Sequence, residues 1–270
     1  MGLCIMATGD WLGTYLIRYK GVLATILYNK SNTNGKLVLL AYGMPGFPPK
    51  ISDGYIIKLV KLGFSVGIPE YLGTFDSSGR FNFENAATSL AVVASGIKEN
   101  KCTDLISSSP VSLDIEHVTL IGASFGGSVV LVAAAKSYSV DSVLAIAPVT
   151  DYSKKFMEYY GNESVDSTMD LLSKLQKFTW KFDKKDVKLL NEGKLDINPL
   201  RHMHELKSKR VALWHGKLDR SVNYLSSVDF FYSLKFFGCD AELNLFPRYR
   251  HMGLGMLNNR NLQAKLIKWL

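Results

Sequence analysis

The chain has little cysteine: Cys4, Cys102 and Cys239, an odd number at unrelated spacings. Such spacing argues against a disulfide framework and against a cysteine-based zinc site, and it fits a reducing interior. No apolar run approaches the roughly 20 residues that a helix needs to cross a bilayer. The N-terminal MGLCIMATGDW has neither the basic segment nor the sustained apolar stretch of a signal peptide. Gly2 would suit myristoylation, but Met6 stands where that motif requires Ser or Thr. The expected compartment is the cytoplasm, with no membrane partner.

Charge of one sign is never concentrated. The net charge of +8 comes from Lys and Arg spread along the whole length, with mild clusters at Lys184–Lys188 and Lys207–Arg210. A nucleic-acid binder gathers its basic residues on one element beside aromatics. Here they read as a solvated surface, and no nucleic-acid partner is expected. Repeats and low-complexity segments are also missing. What is present is 47% hydrophobic and 21% charged residues over 270 positions, enough to bury one large core. Homo-oligomer formation stays open on this composition.

Along the chain, Tyr15–Tyr28 reads as two strands turning at Lys20-Gly21, and Lys36–Tyr42 as a buried strand closed by Gly43-Met44-Pro45-Gly46. Ile51–Leu62 has helical spacing and Phe64–Ile68 is strand-like. Asn85–Ile97 is helical, Val118–Ile121 a strand, Gly126–Lys136 a helix rich in small residues, and Ser142–Ile146 a strand. After one interruption the alternation resumes with strand Arg210–Trp214, helix Tyr224–Phe237, strand Ala241–Phe246 and helix Asn261–Leu270. Repeated strand-then-helix order with continuous apolar strands predicts an α/β fold: a mostly parallel central sheet with helices on both faces. The interruption is residues 152–199. Its charged, helical stretch Lys154–Leu195 reads as a small cap inserted into a single domain spanning 1–270.

Chemistry enters at Gly122-Ala123-Ser124-Phe125-Gly126, a G-x-S-x-G between a predicted strand and a predicted helix. A nucleophile on so sharp a turn has a strained backbone, and only glycine-sized neighbours fit beside it. The hydroxyl then projects from the carboxyl edge of the sheet, where the next helix aims its N–H groups. Of five histidines, His117 precedes the serine strand and lies at the wrong sheet end. His202 and His204 read as surface residues and His215 as structural. His251, on the Gly-containing loop PRYRHMGLG after the last strand, suits a general base. Asp219, just past Arg210–Trp214, suits the carboxylate that orients it, with Asp151 in APVTDY as rival.

The order Ser124, Asp219, His251 resembles the α/β-hydrolase superfamily, and within it the prolyl-oligopeptidase-like serine hydrolases. GASFGGSVVLVAAA with APVTDY is similar to the family's nucleophile helix and following strand end. NPLRHMHELKSKRVALWHGKLDRSV is similar to its approach to the acid loop, and YSLKFFGCDAELNLFPRYRH to its ending. The likeness covers residues 36–150 and 197–270. It implies an α/β-hydrolase fold and an oxyanion hole in which the Phe125 N–H is joined by either the Tyr42 hydroxyl or the Met44 N–H. A chain of 270 residues has no space for the family's β-propeller, so the cap is the expected lid, with Phe178, Trp180 and Phe182 as candidate pocket residues. The expected activity is hydrolysis of small carboxylic esters through an acyl-enzyme, without metal or cofactor. Cleavage of short peptides, thioester hydrolysis, and a catalytically silent binding protein on the same fold are the alternatives.

Overall fold

Six strands pair in parallel because each connection between them crosses back over a face of the sheet, and of the first hairpin only the second strand runs against the rest. The computed structural model describes residues 10–162, 166–167, 170, 174, 179–181 and 184–270. The elements in order are β1 (Leu12–Tyr19), β2 (Val22–Asn29), β3 (Lys36–Ala41), α1 (Gly54–Lys61), β4 (Ser65–Pro69), α2 (Phe83–Lys98), β5 (His117–Ala123), α3 (Phe125–Lys136) and β6 (Ser142–Ile146). Then come α4 (Lys154–Tyr159), α5 (Lys184–Asn191), β7 (Arg210–Gly216), α6 (Tyr224–Phe236), β8 (Asp240–Phe246) and α7 (Arg260–Trp269). They form one eight-stranded sheet in the order β1-β2-β4-β3-β5-β6-β7-β8. β2 pairs antiparallel with both β1 and β4, and every later pairing is parallel.

The continuous apolar runs are the inner strands, buried from both sides. Leu37–Ala41 and Val143–Ala145 are wholly inaccessible to solvent. One core layer holds α2 and α3, and the other holds α1 and α7. Helix α3 is apolar all round, the mark of a helix covered on every side; β5 and β6 lie under it and α2 over it. The predicted helix at Ile51 starts later, at Gly54, and Ile51 is exposed in the turn before it. α2 starts earlier than predicted because Asn82 caps it, its Oδ1 accepting the Asn85 N–H at 2.6 Å.

Three histidines take places of their own. His117 lies at the start of β5, away from the elbow, with Nε2 3.0 Å from the Ser142 hydroxyl. His202 is buried rather than on the surface, because its Nε2 meets the Asp196 carboxylate at 2.9 Å. His204, next to it, is exposed as expected. No helix among the described residues is long and apolar enough to cross a membrane.

Candidate active site

Strand β5 ends where its chain must turn into α3 within one residue. Ser124 occupies that residue at φ 57°, ψ −123°, a region that L-residues avoid. Two backbone bonds hold it there: its N–H donates to the Ile146 carbonyl at 2.8 Å, and its carbonyl accepts the Gly127 N–H at 2.9 Å. The flanking glycines are steric necessities. A Cβ on Gly122 would lie 2.1 Å from the Gly126 carbonyl oxygen, and one on Gly126 would lie 2.3 Å from that of Ala41. The second approach brings the end of β3 against the elbow. A Cβ on Gly43 would sit 3.4 Å from the Cβ of Ser124.

The candidate acid and the candidate base come from loops tied together. After β7 and β8, the Lys217 N–H donates to the Phe246 carbonyl and the Leu218 N–H to the Tyr249 carbonyl, both at 2.9 Å. Gly216 permits the approach, since a Cβ there would lie 2.3 Å from the Arg250 carbonyl oxygen. Asp219 is thereby brought under His251, with Nδ1 2.7 Å from Oδ2. Its other oxygen accepts the N–H groups of Ser221 (2.9 Å) and Val222 (3.0 Å). Burial alone would raise the Asp219 pKa, but hydrogen bonds from His215, His251 and the Val222 N–H outweigh it and hold the carboxyl well below its ordinary value. An ionised carboxylate only accepts. The proton of this bond therefore sits on His251 Nδ1, leaving the Nε2 lone pair directed away from Asp219.

Ser124 and His251 line the same cavity, of about 480 Å³. Phe125, Val149, Tyr152, Met157 and Val222 line it, as do Met44, Phe47, Pro49, Asp53 and Gly253–Gly255, the last of these on the loop that carries His251. Val149 and Tyr152 are held by Ser128 on α3. Its hydroxyl donates to the Val149 carbonyl at 2.6 Å and accepts the Tyr152 hydroxyl at 2.7 Å. Asp151, the rival acid, is used locally: its carboxylate accepts the Ser153 N–H at 2.9 Å and the Ser153 hydroxyl at 3.0 Å.

The oxyanion alternatives can be compared by counting protons. Thr74 gives its hydroxyl proton to the Tyr71 carbonyl at 2.7 Å, so the 2.9 Å contact between Thr74 Oγ1 and the Tyr42 hydroxyl must use the tyrosine's proton. Tyr42 Oη also accepts the Tyr71 N–H at 3.2 Å. Burial raises the Tyr42 pKa, so that hydroxyl keeps its single proton, and Thr74 takes it. By contrast, no acceptor among the described residues takes the backbone N–H of Met44 or Phe125.

Trp180 requires a correction. Its ring is 1% exposed and packs among Tyr42, Tyr71, Phe81 and Phe125, behind the cavity wall rather than in it. Its Nε1–H donates to the Gly46 carbonyl at 3.3 Å. Phe178 and Phe182 lie outside the described residues. His215 goes beyond the structural part expected of it. Fully buried, it places Nε2 3.1 Å from Asp219 Oδ2 and 2.9 Å from the Val222 carbonyl, with Nδ1 2.7 Å from the Ser227 hydroxyl. No group of three or more His, Cys, Asp or Glu side chains able to hold a metal ion occurs among the described residues.

Comparison with known proteins places this geometry. The prolyl oligopeptidase family model matches residues 56–270. No curated protein matches the sequence. Among solved structures, an esterase of Pyrococcus furiosus superposes with a TM-score of 0.64 at 15% identity, covering 97% of this chain and 94% of that one. Acetyl xylan esterase 1 from Thermoanaerobacterium gives 0.60 at 13%, covering 97% and 83%. A puromycin-hydrolyzing peptidase of Mycobacterium tuberculosis gives 0.69 at 15%, but there the match covers 96% of this chain and only 39% of the other. At such identities the structural likenesses establish the α/β-hydrolase fold, while the family match extends over most of the chain. The chain belongs to the prolyl oligopeptidase family of serine hydrolases.

Proposed function

We propose that the protein hydrolyses carboxylic esters of small acyl compounds, with Ser124 as nucleophile, His251 as base and then acid, and Asp219 as its orienting carboxylate. The observation that carries this reading is the 2.7 Å bond from His251 Nδ1 to Asp219, which leaves Nε2 free beside the cavity that Ser124 lines. In the acylation step the Ser124 hydroxyl adds to the ester carbonyl as its proton passes to His251 Nε2. The tetrahedral oxyanion is held by the N–H groups of Phe125 and Met44. Collapse expels the alcohol, which leaves with the proton from His251, and water then repeats the sequence to release the acid. Ester preference is supported by the full-length match to an esterase fold, against peptidases more than twice as long as the matched region. Of the insert expected at residues 152–199, α4 contributes to the cavity in this reading by supplying Met157 to its wall.

A fluorophosphonate probe tests the chemistry, and paired substrates test the class. Wild type is expected to label and Ser124→Ala to remain unlabelled. Short p-nitrophenyl esters should be turned over faster than aminoacyl anilides. Equal labelling of both proteins would remove Ser124 from the mechanism, and turnover of anilides alone would make the protein a peptidase.

A further inference from the structure

Among the described residues, Asp53 is the one acidic side chain in the cavity wall, and no lysine or arginine lines that wall with it. It sits at the N-terminus of α1, where aspartate ordinarily accepts a hydrogen bond from the first turn. Here it does not: its side chain makes no capping bond. The capping function has passed to another residue. Asn258, at the end of the short turn Leu254–Asn258, accepts the Tyr55 N–H through Oδ1 at 3.0 Å. The Asp53 carboxylate is half-buried and has no hydrogen bond or ion pair with any described residue. A carboxylate relieved of its local role and facing a largely apolar cavity favours a cation there.

The position of Asp53 says which half of a substrate would carry that cation. In acyl transfer the imidazole hands its proton to the departing atom, so the leaving group lies along the wall nearest the histidine. Gly253, Leu254 and Gly255, on the same loop as His251 with one residue between, line the cavity there. The Asn258 bond ties the start of α1, and with it Asp53, to the same segment. The uncharged lining residues Phe125, Val149, Tyr152 and Met157 come from other segments and are left to the acyl group. Phe47, which also lines the cavity and is 63% exposed, adds an aromatic face suited to a quaternary or protonated amine.

We infer that Asp53 selects substrates whose leaving group is cationic: esters of amino or ammonium alcohols with an apolar acyl chain. The inference rests on the hydrolase reading above. The same carboxylate repels a short peptide whose departing half ends in a free α-carboxylate, which adds a charge-based reason for esters over di- and tripeptides.

Butyrylcholine and its neutral carbon isostere, 3,3-dimethylbutyl butyrate, share one acyl-enzyme, so their ratio of kcat/KM reports leaving-group recognition alone. For wild type the ratio is expected to favour the cation by roughly five- to tenfold at low salt. It should approach one in Asp53→Asn and invert in Asp53→Lys, with circular dichroism and thermal unfolding showing that each variant is folded. A ratio that is the same in wild type and Asp53→Asn overturns the inference while leaving the hydrolase intact. If p-nitrophenyl butyrate itself is not cleaved by wild type, the hydrolase reading fails and the inference falls with it.

Discussion

His215 and His251 reach the same atom, Oδ2 of Asp219, at 3.1 and 2.7 Å. Nε2 of His215 must be a donor in this arrangement, because an ionised carboxylate and the Val222 carbonyl can only accept. In the proposed mechanism His215 is thus a positioning residue for Asp219, as Asp219 is for His251. His215→Phe should lower kcat for a p-nitrophenyl ester about tenfold with little change in KM. It should also cost about 1–3 kcal/mol of stability, from the buried groups left unpaired. Urea denaturation and steady-state kinetics on the same preparation separate the two effects. Lost stability with unchanged kcat would assign His215 to the core alone.

Backbone strain at Ser124 gives a second expectation. A residue held at φ 57°, ψ −123° stores about 1–3 kcal/mol, and alanine there would bear it as serine does. Glycine would not, although it loses about 0.5–1 kcal/mol through the entropy of its unfolded state. Ser124→Gly should therefore be more stable than Ser124→Ala by roughly 1–2 kcal/mol, with both inactive. Thermal unfolding of the pair decides it; equal stability would mean that the turn is relaxed.

Legibility in the sequence follows how local each signal is. Strands such as Lys36–Ala41 and Ser142–Ile146 declare themselves because they are buried on both faces, and no other element needs such short apolar runs. The elbow is legible because Gly122 and Gly126 are required by two close approaches within five residues. The cavity wall is not. Phe47, Val149, Tyr152 and Met157 come from separate segments, and nothing in their types distinguishes them from core residues. Trp180 misleads for the same reason. An aromatic in a charged stretch suggests a pocket, yet its ring lies in an aromatic cluster that only the folded chain assembles. For His215 a signal existed. In His215-Gly216-Lys217-Leu218-Asp219 the two polar groups bracket a turn after a strand, which brings them back to each other.

Tyr42 and Met44 can be separated by one substitution. If the Tyr42 proton is spent on Thr74, Tyr42→Phe removes a buried network and leaves the Tyr71 N–H without its acceptor. The expected result is a loss of about 1–3 kcal/mol in stability and less than a tenfold change in kcat. An oxyanion donor would behave otherwise, since losing one typically costs about 10²–10³ in kcat. A fall of that size in a stably folded Tyr42→Phe would return the tyrosine to the oxyanion hole.

Acid should act through Asp219. Its carboxyl is held below the ordinary value of 3.8, against the effect of burial, by the two histidines and the Val222 N–H. A carboxyl more acidic when folded than unfolded stabilises the fold above its unfolded value, and that stability is lost as pH falls through the folded value. Wild type should accordingly lose stability between about pH 5 and pH 2, in part through this residue. Asp219→Asn should be less stable at pH 7, and the gap should narrow as pH falls. Its kcat at pH 7 should drop by about 10³–10⁴, because an amide no longer fixes the His251 tautomer. Urea denaturation at pH 7, 5 and 3 measures the gap. A gap independent of pH would mean that Asp219 titrates alike in the folded and unfolded chain, and that the hydrogen bonds to His251 and His215 do not hold its charge.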